Sequence, residues 1–68
     1  MKHQQQKQIK KTNDLIAIST IIGLVKNDEF PKAIDVAINR GFTAEQFGQM
    51  ANMVDLSAEE IYENVIAY

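Results

Sequence analysis

The chain has 68 residues, no cysteine and one histidine, and its net charge at pH 7 is −2. A domain of this size has a small margin of stability, because it buries only about 60% of the surface that its unfolded chain exposes. The absence of cysteine excludes disulfides and thiolate metal sites, and His3 alone cannot form an imidazole cluster. We therefore expect no metal and no cofactor, and we expect a homodimer or larger assembly as the remaining source of stability.

The charge is unevenly distributed along the chain. Residues 1–12 contain four lysines and no acid, a charge of +4, whereas residues 13–68 carry three cations and nine acids, a charge of −6. We divide the chain into a basic segment, residues 1–12, which is either a flexible arm or an extension of the first helix, and a single helical domain, residues 13–68. A solvated terminus is the simpler interpretation of the segment, but such an arm can also bind nucleic acid. The candidate nucleic-acid arm is Lys2, Lys7, Lys10 and Lys11.

An apolar run at residues 15–25 follows the lysines, in the order found at the start of a secretory signal. The run is too short to cross a bilayer as a helix, which takes about 20 residues. Asp14 lies at its edge, and no small-x-small cleavage site follows it. We therefore expect no signal and no membrane partner. The absence of cysteine is typical of a reducing compartment, and we predict a cytoplasmic location.

The first predicted helix covers residues 13–26, with Thr12 or Asn13 as N-cap and Asp14 in the first turn near the positive end of the helix dipole. Its many β-branched residues leave a strand as the alternative. The apolar side chains of this helix lie on most of its sides, so the helix must be buried on most sides. Three further short helices can cover one side, and a second subunit can cover the other. The predicted protein interface is Leu15, Ile18, Ile21, Ile22 and Val25.

The second predicted helix follows a polar break at residues 26–29. Asp28 is its predicted N-cap, and Pro31 is tolerated in a first turn. Gly41 is predicted to end the helix in the left-handed conformation that glycine adopts readily. The apolar residues of this helix are Phe30, Ala33, Ile34, Ala37 and Ile38.

Two capping boxes predict the starts of the last two helices. In each, a hydroxyl side chain is followed three residues later by Gln or Glu, as in Thr43 with Gln46 and Ser57 with Glu60. The third helix is predicted over residues 44–54 and the fourth over residues 58–68. The predicted core residues are Phe47, Met50, Ala51 and Val54 on the third helix and Ile61, Val65 and Tyr68 on the fourth, with Tyr62 and Ile66 at the edge.

Residue patterns that support catalysis are missing from the sequence. The three glycines are scattered and form no phosphate loop, and His3 has no nucleophile near it in the chain for a catalytic triad. The paired acids Glu59 and Glu60 are explained as first-turn residues at a positive helix end. We therefore predict that the protein is not an enzyme.

Residues 47–65 resemble the helix-turn-helix of phage repressors, on the basis of Met50, Ala51, Val54, Leu56 and Ile61. The resemblance implies a DNA-binding regulator whose recognition helix begins after Ser57. That family usually has glycine in the turn, where this chain has Asp55. The recognition helix would present an acidic face, Glu59, Glu60 and Glu63, where DNA binding calls for lysine or arginine.

Residues 33–68 also resemble the three-helix bundle of ubiquitin-associated domains. Arg40, Gly41 and Phe42 lie where that family has a Met-Gly-Phe loop. The resemblance implies a bundle of three short helices. Because Arg40 replaces the methionine of the binding loop, ubiquitin binding is not carried over.

These observations predict an all-α fold, a small bundle of four short helices with a helix-turn-helix-like C-terminal half. The predicted function is a protein-protein interaction module, a homodimeric regulator or inhibitor of a protein partner. Its size and acidity fit an accessory protein of a phage or mobile element. The alternatives are a DNA-binding transcriptional regulator that uses the basic arm, and a structural subunit of a larger assembly.

Overall fold

Four α-helices follow one another in the computed structural model, which describes the backbone of residues 2–67 and the side chains of residues 9–67. About 80% of the chain is helical, which confirms the predicted all-α bundle. Tyr68, a predicted core residue, lies outside the described residues. The helices are α1 (Lys2–Lys26), α2 (Phe30–Arg40), α3 (Ala44–Asn52) and α4 (Ala58–Ile61), and α4 continues as a π-helical turn, Tyr62–Ile66.

Helix α1 begins well before residue 13, the predicted start. Its 25 residues span about 37 Å at 1.5 Å per residue, which is most of the 41 Å length of the molecule. The glutamines and lysines of residues 2–12 are good helix formers, which explains the longer helix. The predicted N-cap at Thr12 or Asn13 is therefore wrong, and Asp14 lies in the middle of α1 rather than in its first turn.

The connection between α1 and α2 also differs from the prediction at Asp28. The N-cap position of α2 is Glu29, and no side chain caps this helix end. Asp28 instead adopts a left-handed conformation with φ 62° and ends α1. The backbone N–H of Asp28 donates to the Val25 carbonyl at 3.0 Å, and that of Glu29 donates to the Leu24 carbonyl at 2.8 Å. These two bonds form the Schellman motif that usually has glycine at the position of Asp28.

Asp28→Gly is expected to raise the free energy of unfolding by about 0.5 kcal/mol, because glycine adopts a left-handed φ without steric cost. For a domain of this size the melting temperature should rise by about 2–4 °C, as measured by circular dichroism. The matched control is Gly41→Ala, which should lower the melting temperature because Gly41 also has a positive φ, 82°. An unchanged or lower melting temperature for Asp28→Gly would contradict this assignment of the turn.

The fourth helix differs from the predicted single α-helix over residues 58–68, because its α-helical part ends at Ile61 and the chain continues as the π-helical turn Tyr62–Ile66. The starts of α3 and α4 and the end of α2 agree with the sequence prediction. Both capping boxes are present, Thr43 with Gln46 and Ser57 with Glu60. Gly41 follows the last residue of α2 in the left-handed conformation, and its N–H donates to the Ile38 carbonyl at 2.9 Å. Helix α3 ends at Asn52, slightly before residue 54, the predicted end. Local side-chain chemistry thus determines where α2 ends and where α3 and α4 begin.

Helix α1 is the centre of the fold, because α2, α3 and α4 all pack on it. The innermost side chains come from every helix and from the π-helical turn. Apolar side chains that are partly exposed, among them Phe47, Ala51, Val54, Tyr62 and Ile66, pack around them. The fully or nearly fully buried core is Ile18, Ile21, Val25, Ala33, Ala37, Met50, Ile61 and Val65.

Helix α2 places its small residues against α1 and its large ones away from it. Ala33 and Ala37 are buried, one helical turn apart, and they let the two backbones approach closely. Phe30, Ile34 and Ile38 are exposed. The sequence pattern did not separate these two groups, because together they form one broad apolar stripe.

Candidate protein interface

The predicted interface on α1 belongs for the most part to the core. Ile18 and Ile21 are fully buried and Val25 nearly so, against the chain's own helices. The structure therefore moves these three residues from the interface to the core, because the three shorter helices already cover them. Of the five residues predicted as an interface, Leu15 and Ile22 are half-buried, and only these two remain accessible to a partner.

The large apolar side chains that the fold leaves uncovered on α2 form one surface. Phe30, Ile34 and Ile38 are 43%, 41% and 64% exposed, and each follows the previous one after four residues. That spacing places them on the same side of the helix, one turn above another. We call Phe30, Ile34 and Ile38 the α2 face. Contiguous apolar surface of this kind marks interaction sites in soluble proteins.

An apolar groove of about 190 Å³ lies beside the α2 face, between α2 and the start of α3. Among the described side chains that line it, Thr43 is the one polar residue, and its hydroxyl already accepts the N–H of Gln46 at 3.0 Å. Pockets for small molecules usually measure about 300–1,000 Å³, so this groove is better suited to anchor a side chain of a partner. Its lining residues are Ile34, Ala37, Ile38, Phe42, Thr43, Ala44 and Phe47.

A buried ion pair fixes how α2 sits on α1. The carboxylate of Asp14 is fully buried, and Oδ1 accepts hydrogen bonds from Nε of Arg40 at 3.1 Å and from Nη2 of the same guanidinium. Nζ of Lys10 donates to Oδ2 at 3.3 Å. Arg40 is the last residue of α2, so the pair ties the end of that helix to the middle of α1. With Ala33 and Ala37 facing α1, this contact holds the α2 face toward solvent.

This ion pair was not predicted from the sequence, although two signals point to it. Asp14 borders an apolar run, where an isolated carboxylate would be costly to bury and so needs a cation. Lys10 lies four residues before it on the same helix, at a spacing that favours an ion pair. Arg40 could not be found this way, because its distance from Asp14 in the sequence is 26 residues.

Two lysines of the predicted nucleic-acid arm contact the body of the protein. Lys10 pairs with Asp14, and Nζ of Lys11 lies 3.7 Å from a carboxylate oxygen of Glu63. The ammonium of Lys11 also lies 5.3 Å from the centre of the Tyr62 ring, within the range of a cation–π contact. The side chains of Lys2 and Lys7 lie outside the described residues.

The predicted acidic face is at the start of α4 and in the π-helical turn. Glu60 closes the capping box, since its Oε1 accepts the N–H of Ser57 at 3.2 Å. Glu63 pairs with Lys11, and Glu59 is exposed in the first turn of α4. Two of the three acids therefore have partners within the chain.

Among residues 2–67, no helix is both long and apolar enough to cross a bilayer. The described side chains also contain no group of three or more His, Cys, Asp or Glu residues that could hold a metal ion. Comparisons with protein-family models, with curated proteins and with solved structures find no significant match to this chain.

Proposed function

We propose that this protein is a small helical interaction module that regulates or inhibits a protein partner in the cytoplasm, and that it does so without catalysis. The α2 face and the adjoining groove are its binding surface. The observation that carries the proposal is the exposure of Phe30, Ile34 and Ile38 on a chain whose other apolar side chains mostly pack into the core. Large apolar side chains that cluster at a protein surface become favourable contacts when a partner removes them from water.

The double substitution Ile34→Ser with Ile38→Ser is expected to abolish partner binding and leave the fold intact. Both side chains are exposed, so their replacement should change the free energy of unfolding by less than about 1 kcal/mol. The measurement is affinity capture from lysate of the source cells, with the captured proteins quantified by mass spectrometry. Proteins that bind the unmodified chain should be recovered at least about tenfold less with the double variant.

The matched control is Ile9→Ser with Ile16→Ser, which makes the same chemical change at two α1 side chains that are each 60% exposed. This control should capture the same proteins as the unmodified chain. Equal capture by the α2-face variant and the control would contradict the proposed binding surface. Circular dichroism of both variants shows whether each is folded.

The predicted homodimer remains a separate expectation, because three of the five residues on which it was based are in the core. Sedimentation of the purified protein at micromolar concentration tests it, and a monomer there would count against it. The structural-subunit alternative also uses the exposed apolar surface and differs only in the partner, which the capture experiment identifies.

DNA binding through residues 2–12 is the less supported alternative. Lys10 and Lys11, two of the four arm cations, already pair with carboxylates of the chain. DNA phosphates would have to displace Asp14 and Glu63, and the acidic start of α4 would repel the duplex. Salt-sensitive DNA binding that is lost when residues 1–11 are deleted would favour this alternative over protein binding.

A further inference from the structure

We propose that the α2 face and its groove bind an amphipathic helix of the partner, with large apolar residues along one side and lysine or arginine along both flanks. This inference rests on the proposed function, because it specifies the chemistry of the partner at the same surface. It follows from the shape of the groove and from the charges beside it.

The shape of the surface fits a helix. Phe30 and Ile38 are eight residues apart, so the α2 face is about 12 Å long, or a little more than two helical turns. Helices α2 and α3 pack mainly on α1 rather than on each other, which leaves the groove open between them. A helix laid along such a groove inserts apolar residues spaced three, four and seven residues apart. The groove provides space for one of these anchors, and the α2 face provides a flat apolar surface for the rest.

The charges beside the surface are acidic. Asp35 lies on α2 between Ile34 and Ile38 in the chain and is exposed. Glu45, also exposed, follows the groove residue Ala44 and lines a second depression that shares Thr43 with the groove. Of the two cations of α2, Arg40 pairs with Asp14, and Lys32 pairs at 3.1 Å with the adjacent Glu29, so this second pair adds no net charge. Residues 13–68 carry a charge of −6, and the paired Lys10 and Lys11 reduce it to −6 + 2 = −4, so the body attracts a cationic partner and disfavours an acidic one.

The same charges argue against a second copy of this chain as the occupant. In a two-fold symmetric dimer centred on Ile34, residues near the axis face their own copies. Asp35 would then lie near another Asp35 as water is removed, which is unfavourable. The basic residues 2–12 of another copy are no better suited, because Ile9 is their only large apolar residue.

Two synthetic peptides of about 14 residues test the proposal, each long enough to cover the α2 face as a helix. Both carry leucine at the anchor positions, and their flanking positions are all lysine in one and all glutamate in the other. Each peptide is titrated into the full-length, isotopically labelled protein, and amide chemical shifts are recorded. The lysine peptide should shift the amides of Ile34, Ile38, Phe42 and Phe47 and bind at least about tenfold more tightly than the glutamate peptide at low salt. The difference should shrink as salt screens the charges.

Three variants separate the apolar contribution from the electrostatic one. The variant Ile34→Ser with Ile38→Ser should bind neither peptide, because it lacks the apolar side chains that both peptides contact. Asp35→Lys with Glu45→Lys should reduce the preference for the lysine peptide by about tenfold. The matched control is Glu59→Lys, which removes an exposed acid on α4 and should leave the preference nearly unchanged.

The proposal would be overturned by no binding of the lysine peptide, by equal affinity for the two peptides, or by shifts confined to α4 around Glu59. Shifts of the α2-face amides with protein concentration alone would also overturn it, because they would show a second copy on this surface. Failure of the peptides leaves the proposed function testable, since the capture experiment compares α2-face and α1 variants without assuming the partner's charge.

Discussion

Arg40→Ala is expected to lower the free energy of unfolding by about 3 kcal/mol, because it leaves the fully buried carboxylate of Asp14 without its main partner. Lys10 would still contact Asp14, but its ammonium is largely exposed to water and offers weaker compensation. A chain of this length has a total stability of only about 3–10 kcal/mol. Urea unfolding followed by circular dichroism should therefore show a large shift of the midpoint to lower urea.

Two further variants distinguish a buried ion pair from a general loss of charge. Lys32→Ala removes the other cation of α2, whose pair with Glu29 is exposed, and should cost less than about 0.5 kcal/mol. Asp14→Ala combined with Arg40→Ala should be more stable than Arg40→Ala alone, because no unpaired charge stays buried. A cost below about 0.5 kcal/mol for Arg40→Ala would show that the buried pair does not form in solution.

Ile21→Ala is expected to lower the free energy of unfolding by about 3 kcal/mol, since Ile21 is fully buried and its truncation leaves a cavity in a small core. Its neighbour Ile22 is half-buried, and Ile22→Ala should cost about 1 kcal/mol. Urea unfolding of the two variants measures the difference. The pair tests which side of α1 faces the other helices.

The control for this pair is Ile16→Ala, at a side chain that is 60% exposed, which should change the free energy of unfolding by less than about 0.5 kcal/mol. A larger loss for Ile16→Ala than for Ile21→Ala would mean that α1 presents its other side to the core. Because all three residues are isoleucines on one helix, helix propensity contributes equally to the three results.

Features that depend on neighbouring residues were predictable from the sequence. The capping boxes at Thr43 and Ser57 and the glycine stop at Gly41 are local motifs, and all three form as expected. The all-α class followed from them and from the helical spacing of the apolar residues. Two local features were predicted wrongly. The N-cap at Thr12 or Asn13 lies inside α1, because the polar residues before it are themselves good helix formers. Asp28 ends the first helix rather than capping the second, because an aspartate between two helices can do either.

Features that depend on packing were not predictable. Ile18 and Ile21 were assigned to an interface because α1 is apolar on most sides, and a sequence does not show how much of a helix its own chain will cover. The α2 face was missed for the related reason that the apolar stripe of α2 is wider than its contact with α1. Which part of the stripe faces α1 is decided by Ala33 and Ala37 and by the pair of Arg40 with the distant Asp14.

Thiol labelling tests the central claim, that the side of α2 with Ile38 is free apolar surface while the side of α1 with Ile21 is core. The chain has no cysteine, so Ile38→Cys and Ile21→Cys each introduce one reporter. In native protein, the thiol at position 38 should react with a maleimide at nearly the rate of an unfolded peptide. The thiol at position 21 should react at least about a hundredfold more slowly, since it must wait for the core to open. Fast labelling at position 21 together with protection at position 38 would contradict the account.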